Sequence, residues 1–249
     1  MSGPIHAEPV AGLPEIEAGT SLGELIAEAA ELGSGDIVAI SQKIVSKAED
    51  RIVELAAVEP GPRAMELAAE LGKEPELVEL ILGESRRVVR AAQGRLIVET
   101  TSGLICANAG IDASNAGGAG RVALLPLDPD ASARRIRAEI EGRAGVRPAV
   151  LISDSFGRPW RLGQSEVAIG CAGIAPLDDW RGRPDRDGRE LTATAIAFAD
   201  QLAAAADLAR TKTDGTPVVV VRGLSGRVVD EDGPGAVALV RAAGEDLFR

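Results

Sequence analysis

The sequence contains few of the side chains on which several common kinds of functional site depend. It has no tyrosine, a single histidine (His6) and only 2% aromatic residues. So few aromatic rings argue against a stacking surface for nucleic acid. Because the one histidine lies near the terminus, we expect neither a Ser/His/Asp triad nor a histidine-rich zinc site. We therefore expect any metal here to be a hard cation that is bound through oxygen atoms.

Charge, cysteine content and hydropathy limit the expected binding partners and the expected cellular location of the protein. The formal net charge is −11, which disfavours non-specific binding to nucleic acid or anionic membranes. Cys106 and Cys171 lack CxxC spacing and are expected to be buried free thiols, as in a reducing cytoplasm. No apolar run reaches the ~18 residues of a membrane span, and no secretion signal is recognisable at the start. These features predict a soluble, cytoplasmic protein that binds neither nucleic acid nor membranes.

Helical and extended patterns are mixed along the chain without regular alternation, which predicts an α+β or mixed α/β fold. Apolar runs indicate buried strands at 36–41, 148–155 and 216–224, and Gly94 lies between two strands of a hairpin. Helices are predicted at 129–143, 191–210 and 235–248. The sequence has neither GxxxxGK[ST] nor a strand-linked GxGxxG, which excludes a P-loop and a standard dinucleotide fold.

Two short stretches each place a carboxylate among small or polar residues. Asp112 lies in "NAGIDASNAGG" (108–118), and Asp154 and Ser155 follow an apolar strand in "LISDSFGR". Polar residues at the carboxyl end of a strand are common ligand contacts in α/β architecture. If the two stretches meet, they offer a Mg²⁺ or Mn²⁺ site completed by phosphate oxygens and water. The alternative is that both aspartates only cap turns.

Basic residues are the second candidate for ligand binding. Lys43 and Lys47 in "SQKIVSKAED" follow a buried strand and are suited to phosphate, or else are solvated lysines. Six arginines lie within 32 residues of this acidic chain: Arg158, Arg161, Arg181, Arg183, Arg186 and Arg189. They indicate an anion pocket or, because five acidic residues lie among them, a salt-bridged loop.

Taken in order along the chain, these stretches resemble one known family. "SQKIVSKAEDRIV", "NAGIDASN", "DSFGRPWRLG" and "DDWRGRPDRDGREL", with "GLPEI" near the start and "VVVVRGL" near the end, look like the coenzyme F420:L-glutamate ligases (F420-0:γ-glutamyl ligases) from about residue 8 to 245. The resemblance implies a GTP-dependent ligase that adds L-glutamate to the lactyl carboxylate of a deazaflavin precursor and then by γ-linkage. It also implies two divalent cations (Mn²⁺ or Mg²⁺), K⁺, and an intertwined homodimer of α+β subunits with a family-specific fold.

The resemblance also assigns roles to individual positions. Metal ligands would be Asp112, Asp154 and Ser155, and the catalytic positions Lys47, Asp112 and Asp154. Contacts to GTP would come from Leu13, Pro14, Glu15, Ile16, Ser41, Gln42, Lys47, Asn115 and the stretch Thr211, Lys212, Thr213 and Asp214. The family's nucleotide lysine corresponds to Lys47 and not to Lys43.

One stretch departs from the family pattern. Some members carry a metal-binding glutamate where this sequence has Thr211 or Lys212, so the third metal ligand is left open between a backbone carbonyl, water and Lys212 as a surrogate cation. The arginine cluster is provisionally assigned to the anionic substrates. The residues expected to bind the phosphodiester of the precursor and the glutamate carboxylates are Arg158, Arg161, Arg181, Arg183 and Arg189.

The resemblance finally predicts the domain organisation. Residues 1–249 would form one ligase unit without a C-terminal nitroreductase-like domain. That unit is either undivided or composed of two interlocked subdomains, about 1–85 with 190–249 and about 86–189. Two other functions remain open from the residues: a different metal- and nucleotide-dependent transferase or kinase, and a non-catalytic module that binds nucleotide or deazaflavin.

Overall fold

Twelve strands and six α-helices are present in the computed structural model, which describes residues 3–114, 118–210 and 215–246. The strands are β1 (His6–Pro9), β2 (Ile37–Ser41), β3 (Ile52–Glu54), β4 (Ser85–Ala92), β5 (Arg95–Thr100), β6 (Ile105–Ala107), β7 (Arg121–Ala123), β8 (Ala149–Arg158), β9 (Arg161–Ala172), β10 (Leu177–Asp179), β11 (Ala195–Ala197) and β12 (Val218–Arg222). The helices are α1 (Leu22–Ala29), α2 (Gln42–Ala48), α3 (Pro62–Leu71), α4 (Pro75–Gly83), α5 (Pro129–Ala144) and α6 (Phe198–Asp207). Short 3₁₀ turns lie at Leu55–Ala57, Asn108–Gly110, Ser225–Arg227, Ala236–Leu239 and Ala243–Glu245.

The main sheet has the strand order β1-β12-β2-β8-β9, in which only β2 and β8 are parallel neighbours. The central strands β2 and β12 and the first half of β8 are apolar and buried at almost every position because both faces are covered there. On one face, alternate residues such as Val38 and Ile40 pack against α1, α2 and α5. On the other face, residues such as Ile37 and Ala39 pack against α6. The sheet is therefore a rigid, two-sided core on which loops at its edge are held.

A smaller layer lies beside the main sheet. The antiparallel strands β4, β5 and β6 form a three-stranded sheet, and Leu96 and Val98 of β5 pack against α3 and α4. The predicted hairpin is confirmed, since β4 and β5 are joined through Gly94, whose φ is +69°. The chain thus has a mixed α+β architecture, as predicted. The main sheet contains strands from both predicted subdomains, so the predicted division does not follow the borders of this sheet.

Two helix predictions are wrong in extent. The predicted helix over 191–210 begins only at Phe198, because residues Ala195–Ala197 pair with β10 as a strand. The predicted terminal helix over 235–248 is replaced by 3₁₀ turns as far as residue 246. There the buried carboxylate of Asp130 accepts the backbone N–H groups of Ala236 (2.7 Å) and Val237 (3.1 Å), which fixes that segment against α5.

Two other features concern the ends of helices. Ser21 directly precedes α1, but its side chain makes no capping hydrogen bond. Asp128 caps α5, and its carboxylate accepts the N–H of Ala131 at 2.9 Å. Within the described ranges, none of these helices has the length and apolar character that crossing a bilayer requires.

Candidate active site

A cleft of about 1550 Å³ opens at the edge of the main sheet where β2 and β8 run out side by side. Its walls come from five separated parts of the chain: the loop before α1, the β2–α2 junction, the segment before β7, β8 with β9, and the end of α6 with the described residues before β12. All the described residues to which the resemblance gives a metal or nucleotide role line this cleft: Leu13, Pro14, Glu15, Ile16, Ser41, Gln42, Lys47, Asp112, Asp154 and Ser155. The fold therefore gathers in one place residues that lie up to 142 positions apart, from Leu13 to Ser155.

An unusual backbone segment brings Asp112 to the cleft. Asn108, Ala109 and Gly110 all have left-handed φ values, of +53°, +55° and +70°. This conformation is costly for alanine, and it persists where packing enforces it. Ala109 is only 2% exposed, and a Cβ atom on Gly110 would lie 2.7 Å from the Leu125 side chain. The left-handed run turns the chain sharply, and Asp112 then pairs with Ala123 through two backbone hydrogen bonds.

The Asp112 carboxylate is held by a lysine and a serine. Lys43 Nζ lies 2.7 Å from Asp112 Oδ2, and the Ser114 N–H and hydroxyl donate to the carboxylate at 2.7 and 3.0 Å. Burial alone would raise the pKa of Asp112, but the hydrogen bonds from Lys43 and Ser114 outweigh it and lower the pKa below its ordinary value. Asp112 is therefore ionised at neutral pH, and its carboxylate oxygens are held in a fixed orientation in which they can act as ligands.

Lys43 and Lys47 both face the cleft because they are four residues apart on α2. Lys47 forms an ion pair with Glu15, so two residues predicted to contact nucleotide are already neighbours. Lys43 does not match the family's nucleotide lysine, yet its contact with Asp112 makes it part of the site. The four-residue spacing in the sequence indicates that both lysines lie on the same side of α2. The contact of Lys43 with Asp112 cannot be read from the sequence, because the two residues are 69 positions apart.

Asp154 and Ser155 lie on β8 just past the point where β2 ends. The prediction that the strand stops at Ser155 is wrong, since β8 continues to Arg158 as a ribbon with β9. The charge of Asp154 is close enough to Cys106 to add to the effect of burial, and together they raise the pKa of that thiol to about 12. The Ser155 hydroxyl donates a hydrogen bond to Glu166 of β9, a cleft residue that the sequence did not indicate.

The candidate metal-ligand atoms in this cleft are mainly oxygens. Asp112, Asp154 and Ser155 supply carboxylate and hydroxyl oxygens, the donor type that Mg²⁺ and Mn²⁺ prefer. In the described part of the chain, no group of three or more His, Cys, Asp or Glu side chains is placed to hold a metal ion. A cation bound here would need hydroxyl, phosphate or water ligands as well, which suits ions that retain part of their hydration shell.

The arginines that were provisionally assigned to substrate do not line the cleft of a single chain. Arg158 and Arg161 pair across the tip of the β8–β9 hairpin. Arg181 is paired with Asp179 at 2.6 Å, and Arg183 lies over the Trp180 ring at 5.2 Å. Arg189 is exposed in the same loop. The alternative of a salt-bridged loop thus describes Arg181 in this structure, and the substrate role of all five stays a prediction.

Some predicted nucleotide contacts fall outside the described residues. These are Asn115 and the stretch Thr211, Lys212, Thr213 and Asp214. The identity of the third metal ligand, which was left open for that stretch, therefore stays open.

Comparison with known proteins shows the family to which the chain belongs. The family model of F420-0:gamma-glutamyl ligase matches residues 12–223. The chain is 44% identical to the coenzyme F420:L-glutamate ligase of Methanopyrus kandleri over 247 residues, 98% of each chain. It is 43% identical to the protein of that name from Methanothermobacter thermautotrophicus over 246 residues (96% of this chain, 97% of the relative), and 45% identical to that of Halobacterium salinarum over 252 residues (98% and 96%). The chain therefore belongs to the F420-0:gamma-glutamyl ligase family, a family of enzymes that form carbon–nitrogen bonds.

Proposed function

We propose that the protein joins L-glutamate to the lactyl carboxylate of the deazaflavin precursor F420-0 at the expense of GTP, and then adds glutamate by γ-linkage. The observation that carries this proposal is the single cleft, in which Lys47, Asp112, Asp154 and Ser155 lie together with the Leu13–Ile16 wall. The cleft is far larger than one amino acid requires, and it combines cationic and anionic side chains. Such a surface suits a nucleotide, a second anionic substrate and cations at once.

The chemistry explains why a nucleotide is needed. A carboxylate is a poor acyl donor because its leaving group would be oxide. If its oxygen attacks the γ-phosphorus of GTP, the bond to GDP breaks and an acyl phosphate forms. The glutamate amine then attacks the acyl carbon, phosphate leaves with the electron pair, and the amine loses a proton to solvent or a nearby base. GDP, phosphate and one new amide are the products.

In this scheme the protein mainly positions groups and balances charge. Lys47 presents its ammonium to the phosphates, and Glu15, which has an exposed side chain, can release it. Asp112 and Asp154, with Ser155, would hold two divalent cations, Mn²⁺ or Mg²⁺. When bound, these cations would neutralise charge on the transferring phosphoryl group. Lys43 keeps the Asp112 carboxylate oriented toward the cleft. We include K⁺ and a homodimer in the proposal on the family resemblance alone.

Mass spectrometry of the reaction tests the proposal directly. The protein would be incubated with F420-0, GTP, Mn²⁺ and L-glutamate, and the product should gain whole glutamyl residues while GTP is converted to GDP. Asp112→Ala should lower turnover about 10²–10³-fold, whereas Glu70→Ala, at an exposed position of α3 that does not line the cleft, should not. Glutamate-independent hydrolysis of GTP or a stable phosphorylated product would favour the kinase alternative, and nucleotide binding without turnover would favour a binding module.

The nucleotide contact of Lys47 needs a separate test. Lys47→Met should raise the KM for GTP much more than that for glutamate, because it removes a charge that faces phosphate. Lys73→Met is the matched control, since Lys73 lies in the loop between α3 and α4 and does not line the cleft. An unchanged KM for GTP in Lys47→Met would remove this lysine from the proposed site.

A further inference from the structure

A buried carboxylate in the cleft wall has no role in the scheme above. Glu166 of β9 lies opposite Ser155 of β8 in the strand register. Ser153, two residues earlier on β8, is on the same side of the strand as Ser155. The Glu166 residue is only 5% exposed. Burial of an ionised carboxylate is costly unless it is paired and hydrogen-bonded, so its partners indicate what it is for.

Among the described residues, Ser153, Ser155 and Arg210 donate hydrogen bonds to the two oxygens of Glu166. Ser153 Oγ donates to Oε2 at 2.6 Å, and Arg210 Nη2 donates to the same oxygen at 3.0 Å. The Ser155 hydroxyl donates to Oε1. The Arg210 side chain is 7% exposed and gives the carboxylate its counter-charge. Arg210 also donates to the carbonyl of Pro217 at 3.2 Å, so one guanidinium connects the cleft wall to the segment before β12.

This arrangement fixes the direction of the Ser155 hydrogen bond. Arg210 and Ser153 both donate to Oε2, and Ser155 donates to Oε1. Both oxygens of Glu166 therefore act as acceptors. A serine hydroxyl has one proton and two lone pairs. Because the proton of Ser155 is directed to Glu166, the oxygen can offer only lone pairs to a ligand in the cleft. A hydroxyl that donates to a carboxylate is also a more electron-rich acceptor.

We propose that Glu166 is a positioning residue for Ser155: it accepts the hydrogen bond of the hydroxyl group, so that the lone pairs of the serine oxygen are presented to a divalent cation beside Asp154. Arg210 and Ser153 hold Glu166 in place for this task. The inference rests on the proposed function, because it assumes that the oxygens of this cleft bind a hard cation. Partners of this kind typically contribute 10–100-fold to metal affinity.

Glu166→Gln tests the direction of the hydrogen bond with little change of shape. The Gln oxygen must take the position that faces Arg210 and Ser153, since both donate there. Its amide NH₂ then faces Ser155, which has to accept, and the serine proton turns toward the cleft. We expect Glu166→Gln to weaken Mn²⁺ binding about 10–100-fold, measured without nucleotide from the electron paramagnetic resonance signal of free Mn²⁺.

A double-mutant cycle with Ser155→Ala shows whether the effect passes through the serine. In the Ser155→Ala background, Glu166→Gln should change Mn²⁺ affinity by less than about twofold, because coupling vanishes when the partner is absent. Equal losses in both backgrounds would mean that Glu166 acts by another route, and would overturn the proposal. Unchanged affinity of Glu166→Gln in the native background would overturn it as well.

Two controls keep the outcomes distinct. Thermal unfolding of each variant shows whether it is folded. If Glu166→Gln does not fold, the cycle is repeated with Glu166→Asp, which retains the charge beside Arg210 but withdraws the carboxylate from Ser155. An unmodified protein that binds no Mn²⁺ would refute the cation site and the proposed function with it. Normal Mn²⁺ binding by both the unmodified protein and Glu166→Gln would refute only the role of Glu166.

Discussion

Arg137 of α5 provides the sharpest test of how the fold around the main sheet is held together. Its side chain is 0% exposed, and its guanidinium donates to four backbone carbonyls and one carboxylate. The acceptors are the carbonyls of Pro148 (2.8 Å), Val229, Asp230 (3.0 Å) and Glu231 (3.1 Å), and Asp232 Oδ1 (2.9 Å). One side chain thus fastens residues 229–232 to α5 and to the start of β8.

Replacement of Arg137 by Met keeps much of the volume but removes every donor. Breaking a buried ion pair by removing one partner costs about 3–5 kcal/mol, and the released carbonyls regain water only in part. We expect the free energy of unfolding to fall by about 3–5 kcal/mol. At a urea m-value of about 3 kcal/mol/M, a loss of about 4 kcal/mol lowers the midpoint of urea unfolding by about 1.3 M.

Arg147 is the matched control because it contacts the same Asp232, at 3.1 Å, from a position that is 32% exposed. Arg147→Met should cost about 1 kcal/mol or less, as is usual for ion pairs that water can reach. The reasoning would be refuted if Arg137→Met lost less than 1 kcal/mol, or no more than Arg147→Met, in urea unfolding followed by circular dichroism.

Three further predictions follow from burial and charge. Burial raises the pKa of Cys106 and of Cys171 to about 12, so iodoacetamide should modify both far more slowly in the native chain than in urea at pH 8, by mass spectrometry. This shift stabilises the fold below the unfolded thiol pKa of about 8.5, and the stabilisation is lost as the pH rises toward 12. The lowered pKa of Asp112 stabilises the fold above the unfolded pKa of about 3.9 and is lost as the pH falls through the lower folded value. Asp112→Asn should therefore lie furthest below the unmodified protein near neutral pH and approach it in acid, by thermal unfolding. A Cβ on Gly23 would lie 2.4 Å from a carbonyl of α5, so Gly23→Ala should cost about 1–3 kcal/mol, whereas Gly142→Ala, with open space around it, should not destabilise in the same urea assay.

The elements that local patterns predicted well are those whose own residues carry a strong signal, whatever the distance to their partners along the chain. The hairpin around Gly94 and the buried strands of the main sheet follow from apolar runs and turn residues. The helix over 191–210 was predicted too long because its first residues favour either state, and pairing with β10 decides for a strand. The helix over 235–248 failed because the distant Asp130 carboxylate binds the backbone there.

The same distinction applies to the site. Motifs at Asp112, Asp154 and Lys47 pointed to residues that do line one cleft, although no local signal could show that the three regions meet. Glu166 was missed because its importance depends on the register of β8 against β9, which sequence does not give. Lys43 was set aside for the opposite reason: its spacing was visible, but its contact with Asp112 is made only in the fold.

The left-handed run at Asn108, Ala109 and Gly110 has a consequence for which substitutions the protein can accept. Side chains larger than alanine do not fit at position 109, while glycine there would relieve the backbone but enlarge the set of unfolded conformations. At 110 only glycine combines a left-handed φ with the space beside Leu125. The segment that carries Asp112 to the cleft thus tolerates few substitutions at positions 109 and 110, although neither residue carries a charge. In a saturation screen, activity should be lost at positions 109 and 110 as readily as at Asp112, which this segment carries to the cleft.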